Sequence, residues 1–140
     1  MKSSTVVQLF FLAVAVIFGI ATNYATHRRL KVYWQRACTG RQWKRRFPDA
    51  SKSQIRAFLE LFVNAFAFSS KRRLCFSPDD LVMDIYLALY PPDWSFADAL
   101  ELETLALDLE KTYGANVLPV WRDDITIGYL FAHTRDSPRR

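Results

Sequence analysis

The sequence contains few of the residues on which disulfide-stapled, metal-bound or low-complexity proteins depend. Two cysteines and two histidines in 140 residues provide neither a disulfide framework nor a four-cysteine zinc site. Four glycines and six prolines exclude a collagen-like or low-complexity chain. The sequence also lacks a phosphate-cradling glycine loop, a nucleophile elbow and the spacing of an EF-hand calcium loop. We therefore expect no enzymatic activity, no cofactor and no metal site.

Acidic side chains are scarce in the first half of the chain. Residues 1–73 carry 14 basic and 2 acidic side chains, a net charge of +12, whereas residues 74–140 carry 5 basic and 12 acidic ones, a net charge of −7. The formal net charge of +5 hides this division. A basic half joined to an acidic half predicts that the two halves meet different partners.

An apolar run near the N-terminus predicts a transmembrane anchor over residues 1–27. Residues 6–21 contain no charged side chain and one polar side chain, Gln8. Extended to Tyr24, the run nearly spans a hydrocarbon core of about 30 Å at about 1.5 Å per residue. A cleaved secretory signal is one alternative, although no Ala-x-Ala spacing occurs around Ala21 to Ala25. A buried helix of a soluble core is another, which the short remainder of the chain disfavours.

The segment that follows is predicted to be a basic juxtamembrane linker over residues 28–47. Residues 28–46 hold eight basic side chains and no acidic one. Such a block resists translocation, so we expect a single-pass membrane protein with a cytoplasmic C-terminal domain. Contact with the bilayer and its anionic headgroups is assigned to Arg28, Arg29, Lys31, Trp34 and Arg36. The candidate interfacial aromatic anchors are Tyr24, Tyr33 and Trp34.

Hydrophobic periodicity predicts an all-α fold, in which the transmembrane helix is followed by a small helical bundle over residues 48–134 and a flexible tail over 135–140. Apolar residues recur at i, i+3 and i+4 steps between Ile55 and Phe66. The predicted helices run over 53–66, from a cap at Ser77 to the prolines at 91 and 92, from a cap at Asp98 to about residue 112, and over 127–133 behind a cap at Thr126. Residues 74–76 and 117–120 are candidates for extended structure.

The predicted helix from Asp98 has two apolar faces. At about 100° per residue, one face groups Leu102, Leu105, Ala106, Leu109 and Tyr113. Leu100 and Leu107 fall nearly opposite, with Thr104 beside them and carboxylates along both edges. This pattern predicts a surface for a partner protein with basic side chains, formed by Leu100, Glu103, Thr104, Leu107 and Glu110. The alternative is a core helix that is covered on both faces.

These residues also resemble a known family, the acyl carrier proteins. Asp98-Ala99-Leu100, followed by an acidic and leucine-rich helix, is similar to the family's Asp-Ser-Leu signature. Residues 109–114 resemble the end of that helix, and residues 125–130 the start of the family's last helix. The resemblance covers residues 96–131 and implies a divergent, acyl-carrier-like bundle of a bacterial family. The expected location is then a bacterial inner membrane. It also implies that the family's partner-contacting positions correspond to Leu100, Glu103 and Leu107.

Ala99 stands where the family has the serine that bears phosphopantetheine. Because alanine has no side-chain oxygen, the resemblance implies the fold and the docking face without the carrier chemistry. The sequence thus favours a membrane-tethered, non-acylated docking or regulatory module, an adaptor that recruits a cytoplasmic partner. Two alternatives stay open: a functional acyl or peptidyl carrier modified at another serine such as Ser95, and a membrane-held nucleic-acid binder that uses residues 28–46.

Overall fold

The computed structural model describes residues 2–92 and 99–137, and within them the regular secondary structure is helical. Its α-helices are α1 Lys2–Trp34, α2 Gly40–Arg46, α3 Lys52–Ala65, α4 Val82–Leu89, α5 Leu100–Tyr113 and α6 Ile127–Asp136. Two short 3₁₀ helices cover Ser70–Cys75 and Leu118–Val120. The described residues form no strand, only an isolated antiparallel bridge between Leu81 and Thr126. The all-α prediction is confirmed, whereas the two candidate extended segments fall largely in the 3₁₀ helices.

Helix α1 is long and apolar enough to cross a membrane. Its large apolar side chains between Val6 and Ile20 are 46–66% exposed, so this part of the helix packs against nothing in the described chain. Among residues 2–92 and 99–137, the segment Thr5–Trp34 is the one stretch with this length and composition. The structure therefore agrees with the predicted N-terminal span at the level of helix length and apolarity.

The same helix continues beyond the apolar run and enters the folded domain. Leu30 and Tyr33 are 4% and 7% exposed and belong to the core. Trp34 packs edge-on against Phe68 and Phe76, with ring centroids 5.2 and 5.5 Å apart. Leu30, Tyr33 and Trp34 have i, i+3, i+4 spacing and so share one helix face. The interpretation of Tyr33 as an interfacial anchor is therefore wrong, because the domain buries its side chain. Trp34 is only partly buried, and its role as an anchor stays a prediction.

Helix α2, which the sequence analysis placed in a linker, is also part of the domain. Trp43 is fully buried, and its indole N–H donates to the Phe76 carbonyl at 2.9 Å. The Thr39 backbone N–H donates to the Leu74 carbonyl at 2.9 Å. The Thr39 hydroxyl lies 2.7 Å from the Phe76 carbonyl. Burial and these hydrogen bonds show that residues 28–47 help to build the core, so the folded domain does not begin at residue 48.

Helix α3 follows the predicted periodicity closely. Its first turn is closed by a capping box, in which Ser51 and Gln54 each accept a hydrogen bond from the backbone N–H of the other. The apolar residues of the predicted stripe are all buried: Ile55, Phe58, Leu59, Phe62, Val63 and Phe66. This stripe forms the centre of the core and packs near Trp43 and Phe131.

The start of helix α4 differs from the prediction. Residues 77–80 form a turn, in which the Ser77 N–H donates to Asp80 Oδ2 at 2.7 Å, and the helix begins only at Val82. The Val82 N–H donates to the Ile125 carbonyl at 3.0 Å, and the Ile127 N–H donates to the Asp80 carbonyl at 2.9 Å. The predicted cap at Ser77 is wrong because these long-range bonds between the starts of α4 and α6 satisfy the backbone instead.

Helix α6 confirms the predicted cap at Thr126, whose hydroxyl accepts the Tyr129 N–H at 3.1 Å. Gly128 lies so close to the turn at residues 77–80 that a Cβ on it would be 2.7 Å from the Pro78 carbonyl oxygen. A side chain at this position would force the two elements apart. The helix extends to Asp136, so the first two residues of the predicted flexible tail are helical. Residues 138–140 lie outside the described chain.

Candidate partner-binding surface

The inner face of α5 anchors the candidate surface to the core. Leu105 and Leu109 are fully buried and Ala106 is 8% exposed. Leu102 and Tyr113 are partly buried against the same cluster. The inner face predicted from the helical angle is therefore confirmed, and it fixes the rotation of α5 about its axis.

The outer face of α5 points to solvent. Leu100 is 57% exposed and Leu107 is 65% exposed. Glu103 and Glu110 are exposed and Thr104 is half-buried. The exposed leucines exclude the alternative in which other elements of the described chain cover both faces of the helix. Whether a partner binds at these residues stays a prediction.

A shallow groove of about 330 Å³ runs along this outer face and ends at a residue that the sequence analysis did not identify. Leu118 is 69% exposed, the highest fraction among the large apolar residues that the structure describes after residue 47. The groove is lined by Glu103, Ala106, Leu107, Glu110, Asn116 and Leu118. The structure thus joins three of the predicted residues, Glu103, Leu107 and Glu110, with an exposed leucine from a different element.

The loop after α5 holds Leu118 in place. Gly114 has φ 69°, a left-handed conformation that glycine adopts without strain, and its N–H donates to the Glu110 carbonyl at 2.8 Å. Ala115 and Val117 are buried and pin the loop to the core. Asn116 Oδ1 then accepts the Leu118 N–H at 3.1 Å, an Asx-type turn that precedes the 3₁₀ helix.

The Asn116 side chain is the one sequence signal that could have located this turn. An asparagine after a helix-ending glycine favours a turn that its own side chain closes. The sequence does not show which of the apolar residues at 117, 118 and 120 stays exposed, because that depends on the packing of the whole loop.

The start of α5 is only partly described. The predicted cap residue Asp98 and the alternative modification site Ser95 lie outside the described residues. Ala99 occupies the cap position, with φ 57° and no side-chain cap, and its N–H donates to the Tyr86 hydroxyl at 3.2 Å. Glu101 accepts a hydrogen bond from the Tyr90 hydroxyl, so one oxygen of its carboxylate is engaged with the residue that ends α4.

The residues assigned to the membrane surface divide into two groups. Arg28 and Lys31 are exposed, and Arg29 is exposed but donates to the Ala88 carbonyl at 2.8 Å. These three follow the apolar part of α1 and remain candidates for contact with headgroups.

Trp34 and Arg36 contact the domain instead. Trp34 lies beneath the Arg72 guanidinium, 4.9 Å from the ring centroid, in addition to its packing on Phe68 and Phe76. Arg36 forms an ion pair with Asp80 at 2.6 Å. Both side chains therefore have partners within the domain, and their assignment to the membrane surface stays a prediction.

The chain matches no protein-family model, no curated protein and no solved structure. The resemblance to acyl carrier proteins therefore rests on the residues quoted for it. The function proposed below is argued from the exposed side chains of α5 and of the loop that follows it.

Proposed function

We propose that this chain is a membrane-anchored docking module whose partner is a protein with a basic surface. The observation that carries the proposal is the leucine strip: exposed Leu100, Leu107 and Leu118, bordered by the carboxylates of Glu103 and Glu110. A soluble domain gains nothing from exposing this apolar surface in isolation. A partner that covers it would gain hydrophobic free energy.

Charge supports the choice of a basic partner. The half of the chain that contains the strip has a net charge of −7. Exposed carboxylates at the rim of an apolar contact mainly steer association and select against acidic partners, whereas the buried apolar centre supplies most of the affinity. In this chain Leu107 and Leu118 line the same groove as Glu103 and Glu110, so apolar contacts and carboxylates are available on one surface.

The carrier resemblance is consistent with this proposal and refines it. In that interpretation the domain is a divergent, acyl-carrier-like bundle that keeps the family's docking helix. The chemistry of a carrier is lost because Ala99 has no oxygen to form the phosphodiester. The module would then recruit an enzyme or assembly factor that recognises carrier surfaces, without transferring an acyl group itself.

We propose the inner membrane of a bacterium as the location, with the domain in the cytoplasm. Arg28, Arg29 and Lys31 are exposed immediately after the apolar part of α1. Cations at this position hold the following segment on the cytoplasmic side and are attracted to anionic headgroups.

Nucleic-acid binding by residues 28–46 receives less support. Aromatic side chains strengthen single-strand binding when bases can stack on them. Tyr33 and Trp43 are buried, and Trp34 is packed against other aromatic rings. The segment therefore offers exposed cations without an exposed stacking platform.

Co-purification from solubilised membranes tests the docking proposal. The full chain should retain a specific protein that is lost when Glu103→Lys and Glu110→Lys are combined, and the loss should be greatest at low salt because rim charges are screened by ions.

Glu60→Lys is an unsuitable control because Glu60 pairs with Arg73. Reversal of the exposed Asp49 provides a control away from α5 and should leave the partner bound. Equal retention by all three chains would contradict the proposal.

A further inference from the structure

A second groove lies on the basic half of the domain, between α2, the first turns of α3 and the end of the 3₁₀ helix Ser70–Cys75. Its volume is about 300 Å³, at the lower end of the range for small-molecule sites. It is lined by Cys38, Gly40, Arg41, Lys44, Lys52, Ile55, Arg56 and Leu74. None of these described lining residues is acidic.

The cations of this groove lack the partners that other cations of the domain have. Arg36 pairs with Asp80 and Arg73 pairs with Glu60. In contrast, Arg41, Lys52 and Arg56 are exposed and form no ion pair or side-chain hydrogen bond within residues 2–92 and 99–137. Their mutual repulsion lowers the stability of the empty groove, and a bound anion would relieve it.

Lys44 adds a fourth positive charge that is held in place. Its ammonium group donates to the carbonyls of Pro48 and Ala50 at 2.8 and 2.7 Å. These bonds satisfy part of its donor capacity without neutralising its charge. The ammonium therefore contributes a positive charge beside the three exposed cations.

The walls between the cations are apolar and are rigidly positioned. Ile55 is 3% exposed, and Cys38 and Leu74 complete the lining. Hydrogen bonds from Thr39 and Trp43 to the Leu74 and Phe76 carbonyls hold α2 against the end of the 3₁₀ helix. A simple inorganic anion would use the charges of the groove but not these walls.

We propose that this groove binds a small amphiphilic anion, a phosphate or carboxylate that carries a short apolar chain. The head group lies among Arg41, Lys52 and Arg56, and the chain covers Ile55 and Leu74. The leucine strip has the opposite charge and is formed by different elements, so this inference does not depend on the docking proposal.

Cys38 provides the reporter for a test, because its thiol is exposed and lines the groove. The full chain, with Cys75→Ser to leave one thiol, is placed in nanodiscs of neutral phosphatidylcholine. The rate of maleimide alkylation at Cys38 is then measured with hexyl phosphate, inorganic phosphate or hexanol. Hexyl phosphate should slow alkylation several-fold, and the other two compounds should have little effect.

Two variants make the result specific. The double variant Arg41→Gln and Arg56→Gln should abolish the protection by hexyl phosphate. Arg45→Gln should keep it, because Arg45 is an exposed cation of the same helix α2 but does not line the groove. Circular dichroism of each variant checks that the helices are retained.

The three compounds distinguish an amphiphilic anion from a plain anion and from an uncharged apolar ligand. Equal protection by inorganic phosphate would overturn the amphiphile and indicate a plain anion site, and equal protection by hexanol would overturn the role of the charges. No protection by hexyl phosphate, or protection that survives in the double variant, would overturn the site. Nanodiscs that contain phosphatidylglycerol identify the source: slow alkylation without added ligand supports a bilayer lipid as the anion, and unchanged alkylation supports a soluble one.

Discussion

Asp80 connects three parts of the domain through one residue. Its carboxylate pairs with Arg36, just after α1, and accepts the Ser77 N–H of its own turn. Its carbonyl accepts the Ile127 N–H at the start of α6. The Asp80 side chain is only 10% exposed, so these bonds are shielded from water. The residue therefore connects the segment after α1 to the starts of α4 and α6.

Replacement of Asp80 should lower the free energy of unfolding, whereas loss of the exposed Arg46–Asp79 ion pair should change it little. Asp80→Ala removes a hydrogen-bonded partner of Arg36, and we expect a loss of about 1.5–3 kcal/mol of unfolding free energy. Arg46→Ala is the control. The Arg46–Asp79 pair is 3.7 Å long with side chains 62% and 74% exposed. Such pairs contribute about 0–1 kcal/mol. Thermal unfolding of the solubilised chain measures both, and equal losses would contradict the assigned role of Asp80.

Ala99 decides whether the domain can act as a carrier. Because it has no side-chain oxygen, co-expression with a phosphopantetheinyl transferase should add no phosphopantetheine mass to the wild-type chain. Ala99→Ser restores the oxygen at the start of α5, where free backbone N–H groups favour a phosphate. Intact-mass measurement of both chains is the test. A modified wild-type chain would support the alternative carrier with its site at another serine.

At the scale of elements, the two faces of α5 differ: one face is buried in the core, and the other is exposed and is proposed to bind a partner. Leu105 is fully buried, whereas Leu107, two residues later, is 65% exposed. Substitutions on the two faces should therefore have different consequences, and a matched pair of variants can measure them.

Leu105→Ala should cost about 2–5 kcal/mol of unfolding free energy, because it leaves a cavity in the core. The double variant Leu100→Gln and Leu107→Gln should shift it by about 0.5 kcal/mol per site or less, as is usual for exposed positions. Thermal unfolding of the two chains gives the comparison. Comparable destabilisation by both would show that the outer face is also covered and that the leucine strip is not free to bind a partner.

Local signals in the sequence predicted several elements well. The stripe from Ile55 to Phe66 and the cap at Thr126 both appear as expected, because each depends on residues within one or two turns. The candidate surface was predicted only in part. The exposure of Leu100 and Leu107 followed from the helical angle, whereas the exposure of Leu118 depends on the fold of the loop.

Long-range contacts explain what the sequence did not show. The start of α4 is set by bonds to Ile125 and Ile127, more than forty residues away, which override the local cap signal at Ser77. The residues of 28–47 resembled a linker because their many cations masked Leu30, Tyr33 and Trp43, which the core encloses. The i, i+3 spacing of Leu30 and Tyr33 was the available signal for the continuation of α1.

At the scale of the whole molecule, α1 connects the apolar segment directly to the core. Tyr24 is 70% exposed, and Leu30, less than two turns later, is 4% exposed. The domain is therefore packed around the end of the same helix that is long enough to span a membrane, and no flexible linker separates them.

The charge distribution predicts the side of the membrane on which the domain lies. The exposed cations after the apolar run should keep the C-terminus in the cytoplasm. A cytoplasmic reporter fused after Arg140 should be active, and a periplasm-dependent reporter at the same site should be inactive. The opposite pattern would reverse the orientation and remove cytoplasmic proteins from the possible partners.

Site-specific photo-crosslinking in intact cells tests the docking surface most directly. A photoreactive residue in place of Leu107 should form a covalent adduct with one basic protein, and the adduct should disappear when Glu103→Lys and Glu110→Lys are combined with it. The same residue in place of Lys71, which is exposed in the first 3₁₀ helix, serves as the control and should not form this adduct. Absence of an adduct from position 107, or identical adducts from positions 107 and 71, would contradict the assignment of the leucine strip as a docking surface.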